Sequence, residues 1–233
     1  MISIIALAYN EEEAIGPFIE SFLSEIRLKD KYELIIVNDG SSDSTEKIVR
    51  KYVKKHKFIR LVNHNINRGL GKALETGFSN AKGDYIVTMD SDLTHPISFI
   101  PKLVTCCKNN NDVCIASRYI QGGGVKNVPR WRIFISKYVN ILLGIVFFSH
   151  IKDITAGFRI YRAEKIKDIR IRRSGFESQA EIFAYLMKKH CKFKEIPFIL
   201  KNREIGTSKF NFFKMGPKYV LNLLSLFKYR WSR

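Results

Sequence analysis

The sequence predicts an α/β fold with a mostly parallel sheet flanked by helices. Short apolar runs with the composition of buried strands alternate with longer segments that have the periodicity of helices. Polar and charged residues directly follow several of these runs, where parallel α/β sheets bind their ligands. With 233 residues, of which 45% are hydrophobic and 27% charged, the chain is large enough to bury a core and has a globular composition.

The first half of the chain alternates strands and helices in order. The predicted strands are apolar and rich in β-branched residues, and the helix at 45–56 starts with acids and ends with lysines, as the helix dipole favours. The predicted elements are strands at 2–7, 33–37, 59–63, 85–89 and 113–117, and helices at about 12–26, 45–56 and 99–108, with a further helix in the segment INRGLGKALETGFSNA.

The second half has a different pattern. The glycine-rich loop YIQGGGVKNVPRW precedes a long helical segment from about 132 to 148, and the motif DITAGFRIYR follows it. A helix at about 179–189, a strand within 193–200 and a last amphipathic helix at about 210–228 complete the prediction. Because no repeat and no low-complexity linker interrupts the chain, we expect one domain over residues 1–233.

The charge of the chain favours a polyanionic partner. Lys and Arg number 40 against 22 Asp and Glu, which gives a net charge of +18. Nucleic acid, an anionic membrane surface or a phosphorylated substrate would suit that excess. The sequence contains no helix-turn-helix, RNA-recognition or zinc-finger signature, so we expect no nucleic-acid partner.

Three features of the sequence indicate where in the cell the protein resides. These are the N-terminus, the length of the apolar runs and the spacing of the cysteines. MISIIALAYNEEE lacks a basic start, so we expect no signal peptide, and the longest apolar run, 139–148, is too short for a transmembrane helix. The four cysteines show no C-x-x-C spacing, so we expect neither a zinc site nor a disulfide. Reduced thiols in a cytosolic protein are the expectation.

Two acids end the predicted fourth strand in the segment GDYIVTMDSDLTHP. Asp90 and Asp92 flank Ser91 at the point where the strand leaves the core. Alternate strand-end carboxylates can share a hard cation such as Mg²⁺ or Mn²⁺. The alternative is a polar turn that caps the next helix, because Asp and Ser favour both positions. His95 beside the acids is either a ligand or an ordinary loop residue.

Two loops in the first half have a nucleotide-binding interpretation and a structural one. Asp39 in VNDGSSDST could accept hydrogen bonds from a base or ribose, whereas Asp43 with Glu46 resembles a capping box. The segment NRGLGKA lacks the spacing of a P-loop and of the dinucleotide fingerprint, which excludes both. Arg68 and Lys72 in that segment could face a phosphate or simply lie at a solvated helix start.

Cations cluster late in the chain. Arg203 and Lys209 bracket a glycine-containing turn in REIGTSK and could neutralise a leaving diphosphate, or they could belong to an ordinary basic surface. The same two interpretations apply to the cations around the glycine-rich loop, which are Arg118, Arg130, Arg132 and Lys137.

Taken together, these motifs resemble those of the polyprenol-phosphate mannose synthases, which include the dolichol-phosphate mannosyltransferases. The motifs, in chain order, are YNE, VNDGSSDST, NRGLGKALETGF, MDSDLTHP, SRY with its glycine-rich loop, DITAGFRIYR and REIGTSK. The resemblance covers residues 2 to about 226. It implies an inverting family-two glycosyltransferase with a Rossmann-like GT-A fold and C-terminal amphipathic helices.

The resemblance also implies roles for particular positions. Residues 1–118 would bind the nucleotide sugar, and residues 119–233 would face the acceptor and the membrane. The implied nucleotide-sugar contacts are Tyr9, Glu11, Val37, Asp39, Asp90, Ser91, Asp92, Arg118, Arg203 and Lys209. Metal ligands would be Asp90 and Asp92, with Thr94 where some members use Gln; the acceptor phosphate would meet Arg118, Arg132 and Ser136. Catalysis would rest on Asp92, Arg203 and Lys209, while Asp153, Gln179 and Glu181 have no assigned role.

The implied reaction transfers mannose from GDP-mannose to a polyprenyl phosphate with inversion, using Mg²⁺ or Mn²⁺. A glucosyltransferase that uses UDP-glucose, or another surface-glycan transferase, stays open as the alternative, because Leu7 and Asn38 differ from the residues usual in the family. A lipid acceptor implies a peripheral protein on the cytosolic face of a membrane. The 139–148 segment and the last helix could lie in the membrane interface or could simply pack on the sheet, and a small membrane-anchoring subunit is a candidate partner.

Overall fold

The computed structural model describes residues 1–201, which form a seven-stranded sheet with helices on both faces and a separate two-stranded sheet. The strands are β1 Ile2–Ala8, β2 Tyr32–Asn38, β3 Ile59–Asn63, β4 Tyr85–Asp90, β5 Val113–Ser117, β6 Gly124–Lys126, β7 Arg159–Arg162, β8 Phe193–Pro197 and β9 Ile199–Lys201. The helices are α1 Ile15–Glu25, α2 Thr45–Lys55, α3 Leu70–Asn80, α4 Ile100–Lys108, α5 Arg130–Phe147, α6 Ala163–Ile166 and α7 Ser178–Lys188, with a 3₁₀ turn at Ile97–Phe99.

The large sheet has the strand order β3-β2-β1-β4-β7-β5-β8. Every neighbouring pair in it is parallel except those of β7, which runs antiparallel to β4 and to β5. The small sheet pairs β6 with β9 in parallel. The carboxyl ends of β1, β2, β4 and β5 therefore share one edge of the large sheet, and the loop that precedes β7 lies at that same edge.

Apolar side chains fill both faces of the sheet. One cluster joins alternate strand residues to α1, α2 and α4, with Phe18 and Phe22 of α1 fully buried. The other joins the opposite strand residues to α3, α6 and α7, with Phe78 and Tyr161 in edge-to-face contact. Because strand side chains alternate between faces, this two-sided burial explains why the strands are apolar throughout.

Helix α5 packs at the side of this sandwich on a smaller cluster. Leu143 and Phe147 of α5 meet Phe183 of α7 and Ile154 from the loop before β7. No helix within residues 1–201 is long and apolar enough to cross a bilayer.

The sequence-based elements and the observed ones agree closely up to β5. The β3 and β5 strands coincide with their predictions, and helix ends differ by one to three residues at most positions. The sequence did not predict β6, β7 or α6, and the single strand expected within 193–200 is two short strands. The expected helix at 210–228 lies outside the described residues.

The expectation of four reduced cysteines is wrong for two of them. Cys106 near the end of α4 and Cys114 in β5 form a disulfide, because the turn between these elements brings their Cα atoms to 6.3 Å. Sequence spacing does not reveal this pairing. Cys107 and Cys191 are buried free thiols, and burial raises the pKa of Cys107 to about 12.

Candidate active site

Three adjacent strands place the candidate nucleotide and metal residues in one row. Leu7 of β1 is in register with Val37 of β2 on one side and with Asp90 of β4 on the other. Neighbouring strands lie about 4.8 Å apart, so Val37 and Asp90 are separated by about 10 Å across the sheet. Asp39 and Asp92 each follow two residues further on, at the carboxyl edge.

The segment 90–95, here called the carboxylate turn, is held by its own side chains. The Thr94 backbone N–H and hydroxyl both donate to Asp92 Oδ1, at 3.1 and 2.6 Å. The Ser91 hydroxyl donates to the Leu7 carbonyl at 2.8 Å, which fastens the turn to the end of β1. Leu93 adopts φ 65°, a left-handed conformation that is uncommon for a residue other than glycine. The turn is therefore a tight, fastened structure.

Asp39 is buried, and its carboxylate organises the loop that leads into α3. Its oxygens accept from His64 Nδ1 at 2.6 Å, from the Arg68 N–H at 2.9 Å and from the Gly69 N–H at 2.8 Å. Because an ionised carboxylate only accepts, His64 Nδ1 carries the proton of that bond. Contact of Asp39 with a base or ribose stays a prediction, and so does that of Val37, whose side chain is fully buried.

The loops after β1 and β2 are joined by hydrogen bonds at the same edge. The Glu11 N–H donates to Thr45 Oγ1 at 2.8 Å, and the Asn10 N–H donates to Ser41 Oγ at 2.8 Å. Tyr9 is about two-fifths exposed beside them. The expected nucleotide contacts Tyr9 and Glu11 therefore lie in a cross-linked pair of loops adjacent to Asp39.

Arg118, directly after β5, is held by a buried carboxylate that the sequence left unassigned. Asp153 Oδ2 accepts from the Arg118 backbone N–H and Nε at 2.9 and 2.8 Å, and Oδ1 accepts from Nη2 at 2.6 Å. Asp153 is fully buried, and the Arg118 side chain is 17% exposed. Glu195 in turn accepts from the Asp153 N–H at 3.0 Å. The Asp153 carboxylate thus fixes the orientation of the Arg118 guanidinium.

Helix α5 connects to this pair through Thr155. The Thr155 hydroxyl accepts from Arg118 Nη2 at 3.2 Å and from Asn140 Nδ2 of α5 at 2.9 Å. Arg132, Ser136 and Asn140 are spaced four residues apart and share one face of the helix. Arg132 and Ser136 therefore lie on the face of α5 that carries Asn140, and contact of Arg118, Arg132 and Ser136 with an acceptor phosphate stays a prediction. Below, the Arg118 group means Arg118, Asp153, Thr155 and Asn140.

The glycines of NRGLGKA have a structural explanation. A Cβ on Gly71 would lie 1.8 Å from the Arg173 carbonyl oxygen, and one on Gly69, at φ 86°, would lie 2.5 Å from the Ser174 carbonyl oxygen. The Gly71 N–H donates to that Ser174 oxygen at 3.1 Å. Lys72 pairs with Glu75 at 3.0 Å within the helix. The motif therefore needs these two glycines because residues 173 and 174 of another segment pass too close to leave room for a side chain.

That segment, residues 170–175, is pinned by two carboxylates. Glu75 Oε2 accepts from the Ile171 N–H at 2.6 Å, and Glu181 accepts from the Arg172 and Arg173 N–H groups at 3.0–3.1 Å. Burial acts to raise the pKa of Glu75, but the hydrogen bonds from Ile171 and Lys72 outweigh it, and the pKa lies below its usual value. Glu181, unassigned from sequence, is thus a structural residue of this segment.

The expected cationic clamp, Arg203 with Lys209, lies outside the described residues. Sequence reasoning did not recognise His64 or the role of Asp153, and it left His95 undecided. Each acts through a hydrogen bond to a group distant in sequence or to the backbone, so no local motif marks it.

A model of the family described as "Glycosyl transferase family 2" matches residues 3–170. That span contains the row across β1, β2 and β4, the carboxylate turn and the Arg118 group. The chain belongs to glycosyl transferase family 2.

Curated relatives of this family 2 glycosyltransferase carry different sugar names. A Pyrococcus furiosus dolichol-phosphate mannosyltransferase is 34% identical over 89% of this chain, and a Trichomonas vaginalis dolichyl-phosphate beta-glucosyltransferase is 28% identical over 87%. A Rhizobium johnstonii dodecaprenyl-phosphate galacturonate synthase is 30% identical over 73%. The chain spans 58%, 64% and 50% of the lengths of these three relatives.

Solved structures establish the fold of this family 2 glycosyltransferase. Glucosyl-3-phosphoglycerate synthase from Mycobacterium tuberculosis, in complex with Mn²⁺, UDP and phosphoglyceric acid, gives a TM-score of 0.73 at 20% identity over 97% of this chain and 78% of its own. Its complex with Mg²⁺ and UDP gives 0.73 at 19% identity over 98% and 79%. The expected GT-A fold is confirmed.

The carboxylates of Asp90 and Asp92 in this family 2 glycosyltransferase fit a divalent metal that also takes ligands from a substrate. Residues 1–201 contain no cluster of three or more His, Cys, Asp or Glu side chains that could cage an ion. Two carboxylates at a strand end suit Mg²⁺ or Mn²⁺, because such cations keep waters and substrate phosphates as further ligands. The Thr94 hydroxyl donates its proton to Asp92, so coordination by Thr94 stays a prediction.

Proposed function

We propose that this glycosyltransferase moves a hexose from a nucleotide-diphosphate sugar to the phosphate of a polyprenyl phosphate, with mannose from GDP-mannose as the first donor to test. One observation carries the proposal: the carboxylate turn and the Arg118 group share the carboxyl edge of the sheet. The former suits the metal of a sugar diphosphate, and the latter suits a second phosphate. The names of the three relatives support a prenyl phosphate as the acceptor.

On the donor side, the loops after β1 and β2 would hold the base and ribose. The proposed contacts are Tyr9, Glu11, Val37 and Asp39. Asp90 and Asp92 would hold Mg²⁺ or Mn²⁺, with Ser91 fastening the turn beside them. When bound, that metal would neutralise charge on the diphosphate. Arg203 and Lys209, outside the described residues, would bind the same diphosphate. We infer that residues 1–118 form this donor part and residues 119–233 the acceptor part.

On the acceptor side, cations would position an anion that is already a nucleophile. A phosphate monoester has a second pKa near ~6, so a lipid phosphate is mostly dianionic at neutral pH. Its oxygen forms a bond to the anomeric carbon while the bond from that carbon to the diphosphate oxygen breaks, and the electron pair leaves with the diphosphate. The displacement inverts the anomeric carbon and requires no general base. Arg118, Arg132 and Ser136 would orient the attacking phosphate.

A second candidate donor, UDP-glucose, is favoured by a separate observation. One relative is named a dolichyl-phosphate beta-glucosyltransferase, and solved structures that share this fold contain UDP or UDP-glucose. Purified chain is incubated with polyprenyl phosphate and with GDP-mannose or UDP-glucose, and the lipid product is identified by mass spectrometry. We expect a glycosylated lipid phosphate from GDP-mannose and none from the matching polyprenol that lacks the phosphate. Equal transfer to polyprenol would overturn the proposed acceptor, and no transfer from either donor would overturn the proposed function.

Membrane association follows from a lipid acceptor, and we propose that α5 contributes to it at the cytosolic face. Four apolar residues of α5 spaced three or four apart are at least half exposed, which forms an apolar stripe opposite the buried Asn140 and Leu143. The stripe consists of Phe134, Tyr138, Ile141 and Ile145. Exposed Arg130 and Lys137 flank it, so the helix has the composition of an interfacial helix on anionic lipid.

Liposome flotation tests direct docking against docking through a small membrane-anchoring subunit. The chain should float with anionic vesicles at low salt, and Phe134→Ser with Ile145→Ser should reduce the floated fraction several-fold. Ile66→Ser is the matched control, because Ile66 is 71% exposed in the loop before α3 and does not belong to α5. Wild-type chain that stays at the bottom would count against direct docking and in favour of a partner subunit.

A further inference from the structure

His95 closes the carboxylate turn through the backbone. The N–H of Asp90 donates to His95 Nδ1 at 3.0 Å, which links the first residue of the turn to its last. The same nitrogen lies 3.9 Å from Asp90 Oδ2, outside hydrogen-bond distance, so the contact is to the main chain. Since Nδ1 accepts a backbone proton, its lone pair is committed to that bond and does not point at a metal.

The imidazole is locked in place by aromatic rings from other parts of the fold. It stacks on Phe158, with ring centroids 4.7 Å apart and an interplanar angle of 18°. Phe198 meets it edge-on at 6.0 Å. The side chain is only 7% exposed. Phe158 directly precedes β7, so the ring is clamped against the antiparallel strand that neighbours β4.

The direction of the two carboxylates depends on the backbone conformation of the turn. Asp90 ends β4 with a half-exposed side chain, and Asp92 is two residues further along. Between Asp92 and His95 the chain passes through Leu93 in the left-handed region. Such a backbone persists only where its surroundings hold it. The hydrogen bond from the Asp90 N–H to His95 Nδ1 joins the two ends of the turn.

We infer that His95 is a positioning residue, which sets the direction of Asp90 and Asp92 toward the divalent metal by holding the backbone of the turn. The inference rests on the metal assignment within the proposed function. It assigns to the histidine two separable parts, a hydrogen-bond acceptor that fixes the turn and a ring that packs on Phe158. A residue with only a packing role would need the ring alone.

Two substitutions separate these parts. His95→Phe keeps a ring against Phe158 and removes the acceptor. His95→Asn keeps an acceptor, because Oδ1 of Asn occupies the place of Nδ1, and removes the ring. Mn²⁺ is titrated into each purified variant and into wild type with GDP present, and binding is followed by the electron paramagnetic resonance signal of Mn²⁺. Urea unfolding of the same samples reports the stability of the fold.

We expect His95→Phe to weaken Mn²⁺ binding by about tenfold or more and His95→Asn to weaken it by less than about threefold, because outer partners of metal ligands typically carry such effects. The order of stability should be the reverse, with the Asn variant the less stable. Equal Mn²⁺ affinity of His95→Phe and wild type would overturn the inference and leave the metal assignment intact. If wild type itself binds no Mn²⁺ with GDP, the metal assignment fails, and the inference fails with it.

Discussion

The ion pair of Arg118 and Asp153 gives a stability prediction whose size follows from burial. Asp153 is fully buried and accepts three hydrogen bonds from Arg118, whose side chain is 17% exposed. Removing one partner of a buried pair costs about 3–5 kcal/mol, because the other charge is left without compensation. Asp153→Asn retains one oxygen for Nε and the N–H, and Arg118 can partly rehydrate. We therefore expect a loss of about 3 kcal/mol.

The converse change should cost at least as much. Arg118→Met leaves a carboxylate with no exposed surface and only the backbone N–H as a donor from residue 118. Replacing both partners by apolar residues is often neutral, so Asp153→Leu with Arg118→Met should be more stable than Arg118→Met alone by about 2 kcal/mol. Urea unfolding followed by circular dichroism at 222 nm measures these variants and the single variant Asp153→Leu, which completes the double-mutant cycle. Additive losses within about 0.5 kcal/mol would show that the pair is not coupled and would refute the reasoning.

The remaining predictions concern α3 and the segment that crosses it. Gly71→Ala should destabilise the chain by about 2–4 kcal/mol, since a Cβ 1.8 Å from the Arg173 oxygen displaces a segment that is held by backbone hydrogen bonds worth about 1 kcal/mol each or more. Gly16→Ala, at the same position of α1 but with 3.8 Å of room, should change stability by less than about 1 kcal/mol; similar losses in both would contradict the close-passage explanation. Glu75, with its lowered pKa, stabilises the fold above its unfolded pKa, and this contribution disappears as pH falls through the folded pKa. The difference in unfolding free energy between wild type and Glu75→Gln should therefore shrink as pH falls from 7 to 3. A difference that stays constant over this range would contradict the stabilising role of ionised Glu75.

Apolar composition made most of the fold predictable. The strands β1 to β5 are buried on both faces and are therefore continuous apolar runs in the sequence. β7 was missed because its sequence, RIYR, begins and ends with arginine. Arg159 is nonetheless fully buried and donates to the Ile154 carbonyl, a contact that no local pattern signals. The three-residue strands β6 and β9 exist only because they pair with each other.

The candidate site, like the fold, was predictable from the sequence only in part. Asp90 and Asp92 were predictable because acids directly after an apolar strand lie at the ligand-binding edge of a parallel sheet. Asp153 could not be assigned, since its partner Arg118 is 35 residues away, and the paired loops after β1 and β2 depend on contacts more than 30 residues apart. The glycines of NRGLGKA looked like a loop motif, whereas the close passage of residues 173 and 174 requires them.

The rate of glycosyl transfer by the Asp92→Asn variant tests most directly the central claim, which is that Asp92 holds a divalent metal needed for the reaction. Asp84→Asn is the matched control, because Asp84 lies just before β4 at the opposite edge of the sheet and its exposed carboxylate pairs with the N-terminus. Glycosylated lipid is measured with GDP-mannose, polyprenyl phosphate and saturating Mn²⁺. Since a metal supplies several kcal/mol of charge stabilisation, Asp92→Asn should lose at least about 100-fold in rate, and Asp84→Asn should transfer at the wild-type rate. Near-normal transfer by a folded Asp92→Asn variant would contradict the account.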